Sequence, residues 1–432
     1  MKQNKFRKYS AVFLTGILVF GTGCSTARAK EENNTAVTEE PIEEVIEVKQ
    51  TFTPVTATAN TTSGGMIDAT DLFTDRDLQQ NADTSDAVTY TLKDGQTVTL
   101  NQEGVYVFTG SASNAQIRVE AADTDKIQIV LDGVTMTNDS TPCIYVISAD
   151  KVFVTTTDST NTLTVTGTFT ADGETNTDAV IFSRDDLTIN GLGTLNISST
   201  DNGIAGKDDI KITGSTINIA CASDAIEAND SIRIADGTVN ITSCNDGLKA
   251  ENDEDDTTGY IYICGGNITV NASDDAIHAT TIAQIDGGTF DLSGAEAVEG
   301  TYLQFNGGSL NIYASDDGIN AAYKSSAYTP TVEINGGDIT ISMGQGDTDA
   351  IDSNGYLYVN GGTLDISAQS PFDYDIYAEY TGGTMIVNGT ETTQITGQMM
   401  GGPGGFGGPM GEGGFGGPGG EGGFGGQMPG GH

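Results

Sequence analysis

The chain has 432 residues and a formal net charge of −42, with 60 acidic and 18 basic side chains. This charge argues against nucleic acid as a partner, because nucleic-acid binding requires a basic surface. Gly, Thr, Asn, Asp, Ile and Val are abundant, and long helical patterns are absent, so the composition predicts an all-β protein with many turns.

The first 23 residues have the features of a signal peptide. A basic start precedes an apolar run, residues 11–20, which is too short to span a bilayer. Gly21-Thr22-Gly23-Cys24 is similar to a bacterial lipobox, which predicts a lipid anchor on Cys24 and a membrane-attached extracellular protein. Ala27-Arg28-Ala29 offers an ordinary cleavage site that would instead release a secreted protein.

Two further segments have compositions typical of disorder. Residues 24–65 are rich in Glu, Thr and Asn without an apolar period, and we expect them to form a flexible tether. Residues 398–432 are mostly Gly with Phe, Pro and Met, which predicts a disordered tail. The folded domain is therefore expected to comprise residues 66–397.

The folded region repeats a short phrase: an acid, then Ala or Gly, then an aliphatic residue. Repetition at this period is typical of a solenoid, in which each copy stacks on the previous one. Successive copies begin at Asp178, Asn202 (a softened copy after Asp201), Asp224, Asp246, Asp275, Glu296, Asp317 and Asp349.

A second repeat, Gly-Gly or Asp-Gly, alternates with the acidic phrase. Aliphatic residues stand at alternate positions on both sides of it, as in Ile232 and Ile234 before Gly237, and Val239 and Ile241 after it. Alternation of this kind predicts strands with one buried face, and the glycine predicts the corner between them. The sequence therefore predicts a right-handed single-stranded parallel β-helix, a solenoid with three strands and about 20–22 residues per rung.

Stacking turns the repeated acid into a column of carboxylates. Equivalent residues of adjacent rungs would lie ~4.8 Å apart, where two carboxylates repel by ~1 kcal/mol in water and more in a partly buried site. Such a column suits Ca²⁺, which prefers several oxygen ligands; the alternative is that Asp simply favours turns and is solvated there. The candidate calcium ligands are Asp178, Asp201, Asp224, Asp246, Asp274, Asp275, Glu296, Asp316, Asp317 and Asp349.

Outward positions of the predicted strands also form columns, rich in Tyr, amides and charged groups. Tyrosine rings stack on sugar rings, and amides and acids bind hydroxyl groups, so a rigid strip of them suits a polysaccharide; an ordinary polar β surface is the alternative. The candidate carbohydrate-binding residues are Glu227, Lys249, His278, Glu299, Asn320, Tyr262 and Tyr358.

The cysteines give no zinc-site spacing. Cys221 and Cys244 would lie in adjacent rungs, so they form either a disulfide or, as the simpler expectation, two buried thiols. Cys264 stands where Ala235 stands one rung earlier and is expected in the core.

Several motifs occur in the order found in a known family. They include Asp275-Ala276-Ile277-His278-Ala279, Asp246-Gly247-Leu248-Lys249-Ala250 and the run from Ala314 to Ala322. Over about residues 85–390 the chain resembles the extracellular carbohydrate-binding β-helix family of cellulolytic clostridia. The resemblance implies Ca²⁺ binding, affinity for cellulose and polygalacturonate, and distant kinship with a calcium-dependent pectate lyase family. The chain departs from the family pattern at Ala295-Glu296-Ala297, where an aromatic is common before the acid.

These features favour a calcium-binding, non-catalytic, monomeric carbohydrate-binding protein of the cell surface. One alternative is a calcium-dependent polysaccharide lyase, with Lys249 as the base that removes a sugar proton. The other is a structural surface protein or adhesin in which calcium serves only rigidity. His278 is solitary on its strand, so a histidine-based metal or catalytic site is not expected.

Overall fold

The computed structural model describes residues 52–61, 64–252, 255–346 and 348–397. Several predicted features lie outside the described residues: the signal peptide, Cys24, most of the tether and the Gly-rich tail. No α-helix occurs in the described part of the chain, and accordingly none is present there that could cross a membrane.

The described residues form 32 strands of one sheet. The first sixteen are β1 (Val88–Thr91), β2 (Thr97–Leu100), β3 (Gly104–Ser113), β4 (Gln116–Glu120), β5 (Lys126–Asn138), β6 (Ile144–Ser148), β7 (Lys151–Thr156), β8 (Thr160–Val165), β9 (Ala179–Ser183), β10 (Leu187–Gly191), β11 (Thr194–Ser198), β12 (Asn202–Gly206), β13 (Asp209–Ile212), β14 (Thr216–Ala220), β15 (Ile226–Ala228) and β16 (Ser231–Ile234).

The remaining strands are β17 (Thr238–Cys244), β18 (Leu248–Ala250), β19 (Tyr260–Ala272), β20 (Ile277–Gly294), β21 (Val298–Phe305), β22 (Ser309–Ala314), β23 (Ile319–Ala321), β24 (Thr331–Ile334), β25 (Asp338–Met343), β26 (Asp349–Ser353), β27 (Tyr356–Val359), β28 (Thr363–Ser367), β29 (Ser370–Phe372), β30 (Tyr377–Tyr380), β31 (Thr384–Val387) and β32 (Thr390–Glu391).

Except for β32, which pairs antiparallel with β31, each strand pairs in parallel with its counterpart in the next repeat. For example, β10 pairs with β13, β13 with β16, and β16 with β19. We call one full repeat of this pairing, such as β13 to β15, a rung; the long strands β19 and β20 each occupy more than one strand position of a rung. Equivalent aliphatic residues then stack along the core, as in Ile210, Ile232 and Ile261, which are fully buried. The predicted all-β parallel architecture is confirmed.

The glycine repeat forms the predicted corners. Gly362 has a φ of +76°, a backbone conformation that costs other residues roughly 1–2 kcal/mol. A Cβ on it would lie 2.5 Å from the carbonyl oxygen of Gly337, the equivalent glycine one rung earlier. Glycine is therefore required at position 362 for two reasons: the positive φ of the turn and the close stacking of adjacent corners.

Substituting Gly362→Ala is expected to destabilise the protein by more than 2 kcal/mol, because the backbone strain and the clash with Gly337 add. Gly95 is the matched control, with a φ of +68° and nothing within 4 Å of an added Cβ. Urea denaturation of both variants measures the difference. An equal loss in Gly95→Ala would show that corner stacking contributes nothing.

Two long loops interrupt the repeat at the same corner. They connect β18 to β19 and β23 to β24, and they contact each other where Ser325 Oγ donates to the carbonyl oxygen of Asp256 at 2.6 Å.

The N-terminal boundary of the domain differs from the prediction. The sheet begins at Val88, whereas residues 66–87 contain no strand. The described part of the predicted tether, residues 52–61 and 64–65, is also packed against the sheet rather than free. Val55 and Ala57 form backbone hydrogen bonds with Gln80 and Leu78, at 2.6 and 2.8 Å. We call residues 52–61 and 64–80 the cover segment.

Candidate functional site

The cover segment lies along one face of the sheet and buries part of the predicted sugar-binding strip. The backbone N–H groups of Met66 and Ile67 donate to Gln304 Oε1 at 2.9 Å and to Gln284 Oε1 at 2.7 Å. Phe73 packs on Tyr262, with ring centroids 6.4 Å apart, and Tyr262 is fully buried. The prediction that Tyr262 binds carbohydrate is therefore wrong for this structure, because its ring packs against the chain's own apolar side chains.

Asp77 anchors the cover segment. Its carboxylate is fully buried and lies 2.6 Å from Lys151 Nζ and 3.7 Å from Lys211 Nζ. Thr188 Oγ1 donates to the same carboxylate at 2.8 Å. Burial alone would raise the pKa of Asp77, but the two ammonium groups and the hydrogen bonds hold it at about 2.

Beyond Gln304 the same face is open and carries a group of tyrosines. Tyr356 and Tyr358 of β27 stack nearly in parallel, with centroids 5.9 Å apart and an interplanar angle of 11°. Tyr377 of β30 pairs with Tyr356 in register, lies 6.4 Å from Tyr358 and is 49% exposed. We call Tyr356, Tyr358 and Tyr377 the tyrosine platform.

Acidic groups flank this platform. Glu333 and Glu379 stand on either side of Tyr358 in the same column. Glu333 accepts hydrogen bonds from Tyr302 Oη at 2.8 Å and from Gln304 Nε2 at 2.6 Å. The platform thus presents flat aromatic faces beside carboxylate acceptors, and it begins where the cover segment ends.

The acidic repeat forms the predicted column, but its carboxylates have a structural role that the sequence did not show. Asp224 Oδ1 accepts the backbone N–H of Asp246 at 3.1 Å, Asp246 Oδ1 accepts that of Asp275 at 3.1 Å, and Asp317 Oδ1 accepts that of Asp349 at 3.1 Å. Asn202 Oδ1 likewise accepts the backbone N–H of Asp224 at 2.9 Å. In each of these side chains, one oxygen therefore accepts a hydrogen bond that links its rung to the next rung.

In two of these rungs, a lysine of the chain itself neutralises the negative charge on the second carboxylate oxygen. Lys249 Nζ lies 3.4 Å from Asp224 Oδ2 and 3.1 Å from Asp246 Oδ2. Burial would lower the pKa of Lys249, but these carboxylates raise it above its usual value. A lysine held as an ammonium ion cannot remove a sugar proton, so the geometry disfavours the lyase base.

His278 lies between two further carboxylates. Its Nδ1 lies 2.8 Å from both Asp275 Oδ2 and Glu299 Oε2, and Lys324 Nζ is 2.6 Å from Glu299 Oε1. Burial would lower the pKa of His278, but its two acidic partners raise it to about 9. These side chains satisfy one another, so little of their hydrogen-bonding capacity remains for a sugar.

The other predicted sugar contacts occupy the expected column. Glu227, Lys249, His278, Glu299, Asn320 and Asp352 follow one another in register. Glu227 accepts from Asn202 Nδ2 at 2.9 Å, and Asn320 Nδ2 donates to Glu296 Oε2 at 3.1 Å. Of the seven predicted residues, Tyr358 alone belongs to the open tyrosine platform.

Among the described residues, the predicted calcium ligands converge at Asp246, Asp274 and Asp275, whose carboxylate oxygens lie within 4.8 Å of one another. Asp274 is exposed, and the other two are buried. Three carboxylates fit the oxygen preference of Ca²⁺. Asp275, His278 and Glu299 also cluster, but a doubly protonated imidazole has no lone pair for a metal.

A third acidic cluster was not predicted. Asp186, Asp208 and Asp209 lie close together, and burial, followed by the neighbouring acids, raises the pKa of Asp208 to about 6. Arg233 Nη2 lies 2.6 Å from Asp209, and Lys151 Nζ lies 3.8 Å from Asp186. These cations compensate two of the three carboxylates of the cluster.

The cysteines match the simpler expectation. Cys143, Cys221, Cys244 and Cys264 are buried and free. Burial raises the pKa of Cys221 and Cys244 to about 12, so both are neutral thiols that pack in the core.

A family model described as carbohydrate-binding domain-containing protein matches residues 94–346 and 293–400, more than half of the chain. This chain therefore belongs to the carbohydrate-binding domain-containing family.

A curated relative of the same description, from Acetivibrio thermocellus, is 34% identical over 140 residues, which cover 31% of this chain. The match spans 47% of the relative, about half of its length. A solved structure, that of a polysaccharide lyase-like protein from C. thermocellum, is 24% identical with a TM-score of 0.45 and covers 65% of this chain and 97% of its own.

Proposed function

We propose that this chain is a non-catalytic polysaccharide-binding protein that uses the tyrosine platform to hold a sugar chain. The observation that carries the proposal is the half-buried, nearly parallel pair Tyr356 and Tyr358 beside Glu333 and the exposed Tyr377, on a rigid sheet of a carbohydrate-binding family member. Aromatic faces pack on the apolar faces of sugar rings, and carboxylates accept hydrogen bonds from their hydroxyl groups.

The wider proposal keeps three expectations from the sequence. The chain winds as a right-handed parallel β-helix, Cys24 carries a lipid that holds the protein at the outer surface of a membrane, and Ca²⁺ binds Asp246, Asp274 and Asp275. Plant cell-wall polymers such as cellulose or polygalacturonate are the proposed ligands. A bound Ca²⁺ would also supply the positive charge through which an acidic polymer could approach an acidic protein.

Removing both stacked rings in Tyr356→Ala/Tyr358→Ala is expected to weaken binding of soluble cello-oligosaccharides or oligogalacturonates at least tenfold. About 1 kcal/mol of stacking per ring supports this magnitude. Isothermal titration calorimetry with each oligosaccharide is the measurement.

Tyr313→Ala is the matched control, because Tyr313 is 51% exposed on another face. Equal affinities for the double variant and the wild type would contradict the assignment of the platform. Release of unsaturated uronides from polygalacturonate, abolished by Lys249→Ala, would contradict the non-catalytic assignment.

A further inference from the structure

A second face of the sheet carries an uncharged array of side chains. It is built from the adjacent strands β8, β11, β14, β17 and β19, which pair in register over their first four residues and shift register after Ile219 and Ile241 at a bulge in β17. Three outward positions of each strand contribute: Thr160, Thr162, Thr164, Thr194, Asn196, Ser198, Thr216, Asn218, Ala220, Thr238, Asn240, Thr242, Asn267, Thr269 and Asn271. We call this set the threonine–asparagine face.

The absence of charge on this face is unusual for the chain. Its fifteen positions hold eight Thr, five Asn, one Ser and one Ala, although the chain has 60 acidic residues and a net charge of −42. The next strands of the same column do carry acids, at Asp291, Asp338 and Asp365. The neutral composition therefore belongs to these five strands and is not a general property of the column.

Hydrogen bonds between adjacent strands fix the central side chains of the face. Asn218 Nδ2 donates to Asn196 Oδ1 at 2.8 Å, and Asn240 Nδ2 donates to Asn218 Oδ1 at 2.9 Å. The alternating residues of these strands, such as Leu195 and Ile217, are buried in the core and hold the strands in place. A ligand meets an array that is already ordered, so little side-chain entropy is lost on binding.

The dimensions of the face favour an extended surface as the ligand. Five strands at ~4.8 Å spacing and five residues at ~3.3 Å rise give an area of about 19 by 13 Å. The face offers hydroxyl and amide groups but no aromatic ring, so a single soluble sugar chain would gain only a few hydrogen bonds of about 1 kcal/mol each. A solid engages many of them at once, and the weak contacts then act together.

We propose that the threonine–asparagine face binds the flat surface of an insoluble, uncharged polysaccharide, separately from the tyrosine platform. Its hydroxyl and amide groups complement the hydroxyl groups of such a polymer, and no carboxylate on the face must lose its hydration. An acidic polymer would find no cation here. The proposal rests on the proposed polysaccharide-binding function but assigns a different site to solid ligands.

The test measures retention of the protein on microcrystalline cellulose. Asn218→Asp places one carboxylate at the centre of the face with little change of shape, and we expect at least a tenfold loss of retention. Thr340→Asp is the matched control, because Thr340 is an exposed outward residue at the same register position of β25, beyond the face. It is expected to retain wild-type binding. Thermal unfolding of both variants checks that the fold is intact.

A second variant, Thr216→Lys, introduces the opposite charge and is expected to lose retention as well. Binding of soluble cello-oligosaccharide at the tyrosine platform should stay unchanged in all three variants. Wild-type retention by Asn218→Asp, equal losses in Asn218→Asp and Thr340→Asp, or no retention of the wild type would each overturn the inference. Loss of soluble binding in Tyr356→Ala/Tyr358→Ala with retention on the solid intact would support two sites. No soluble binding by the wild type would instead count against the tyrosine platform.

Discussion

Asp77→Ala is expected to lower the free energy of unfolding by about 3–5 kcal/mol, because two buried lysines lose their nearest carboxylate. Lys151 and Lys211 are only 7% and 6% exposed, and in the ion pairs that they form Asp77 is the carboxylate nearest to each of them. The substitution also removes the acceptor of Thr188 Oγ1. Urea denaturation measures the loss.

Asp75→Ala is the matched control, because Asp75 is exposed and lies in the same turn two residues earlier. We expect it to change stability by less than about 0.5 kcal/mol. Limited proteolysis adds a second readout, since release of the cover segment should speed cleavage between residues 64 and 80 in Asp77→Ala alone. Equal stability of the two variants would contradict the anchoring role of Asp77.

The interaction of Asp77 with Lys151 and Lys211 also predicts that stability depends on pH in the acidic range. The pKa of Asp77 in the folded protein is about 2, below its unfolded value of about 3.8. A carboxylate whose pKa is lower in the folded than in the unfolded protein stabilises the fold at pH values above its unfolded pKa. This contribution disappears as the pH falls from about 4 to about 2. Asp77→Ala should therefore show a weaker pH dependence in that window than the wild type.

The periodicity of the sequence was sufficient to predict the strands and corners. Ile232, Ile261 and their equivalents alternate with polar residues, and the corner glycines recur at fixed offsets, so local pattern and register agree. The stacking of the acids followed from the same period. The hydrogen bonds from Asp224, Asp246 and Asp317 to the backbone N–H of the next acid could not be predicted, because a repeat fixes positions along the column but not the rotation of side chains.

The cover segment could not be predicted from local sequence. Gly65 and Met66 lie in a Gly- and Thr-rich stretch that is typical of a linker, and their partners Gln284 and Gln304 are more than 200 residues away. The pattern Thr74-x-x-Asp77 did carry a local signal, since Thr74 and Asp77 bind each other's backbone N–H as in a capping box. It gave no indication that Asp77 would meet Lys151.

Tyr262 and Tyr358 show the same limit at the candidate site. Both occupy the outward column four residues before a corner glycine, so the repeat gives them the same expected role. The structure separates them because Phe73 covers Tyr262, whereas the column beyond Gln304 stays open. Long-range covering of a regular surface therefore decides which copy of a repeated residue can bind a ligand.

Raising the pH from about 5 to about 8 without calcium is expected to lower the thermal stability of the protein. Burial, followed by neighbouring carboxylates, raises the pKa of Glu296 to about 8, of Asp352 to about 7 and of Asp317 to about 6. These groups bind their protons more tightly folded than unfolded. Stability is therefore greatest below their unfolded pKa values and falls as the pH rises towards the folded values.

Glu296→Gln should flatten this pH dependence, because the amide cannot ionise and its oxygen can still accept the hydrogen bond from Asn320. Glu174→Gln, a change of an exposed glutamate, is the control and should leave the slope unchanged. Differential scanning calorimetry in EDTA at pH 5, 6, 7 and 8 gives the comparison. A melting temperature that stays constant or rises over this range would contradict the strained acidic column.

Melting temperatures with and without Ca²⁺ distinguish the repulsion within the acidic column from ion binding at the proposed calcium site. Added Ca²⁺ should raise the melting temperature at pH 8 more than at pH 5, because protonated carboxylates bind the ion poorly. Asp274→Asn should reduce this shift while leaving the pH dependence in EDTA unchanged, since Asp274 is exposed and the carboxylates that raise the pKa of Glu296 are Glu299, Asp275 and Asp317. A calcium shift that Asp274→Asn leaves intact would place the ion elsewhere on the column, for example near Asp317 and Asp352, neither of which forms an ion pair with a lysine among the described residues.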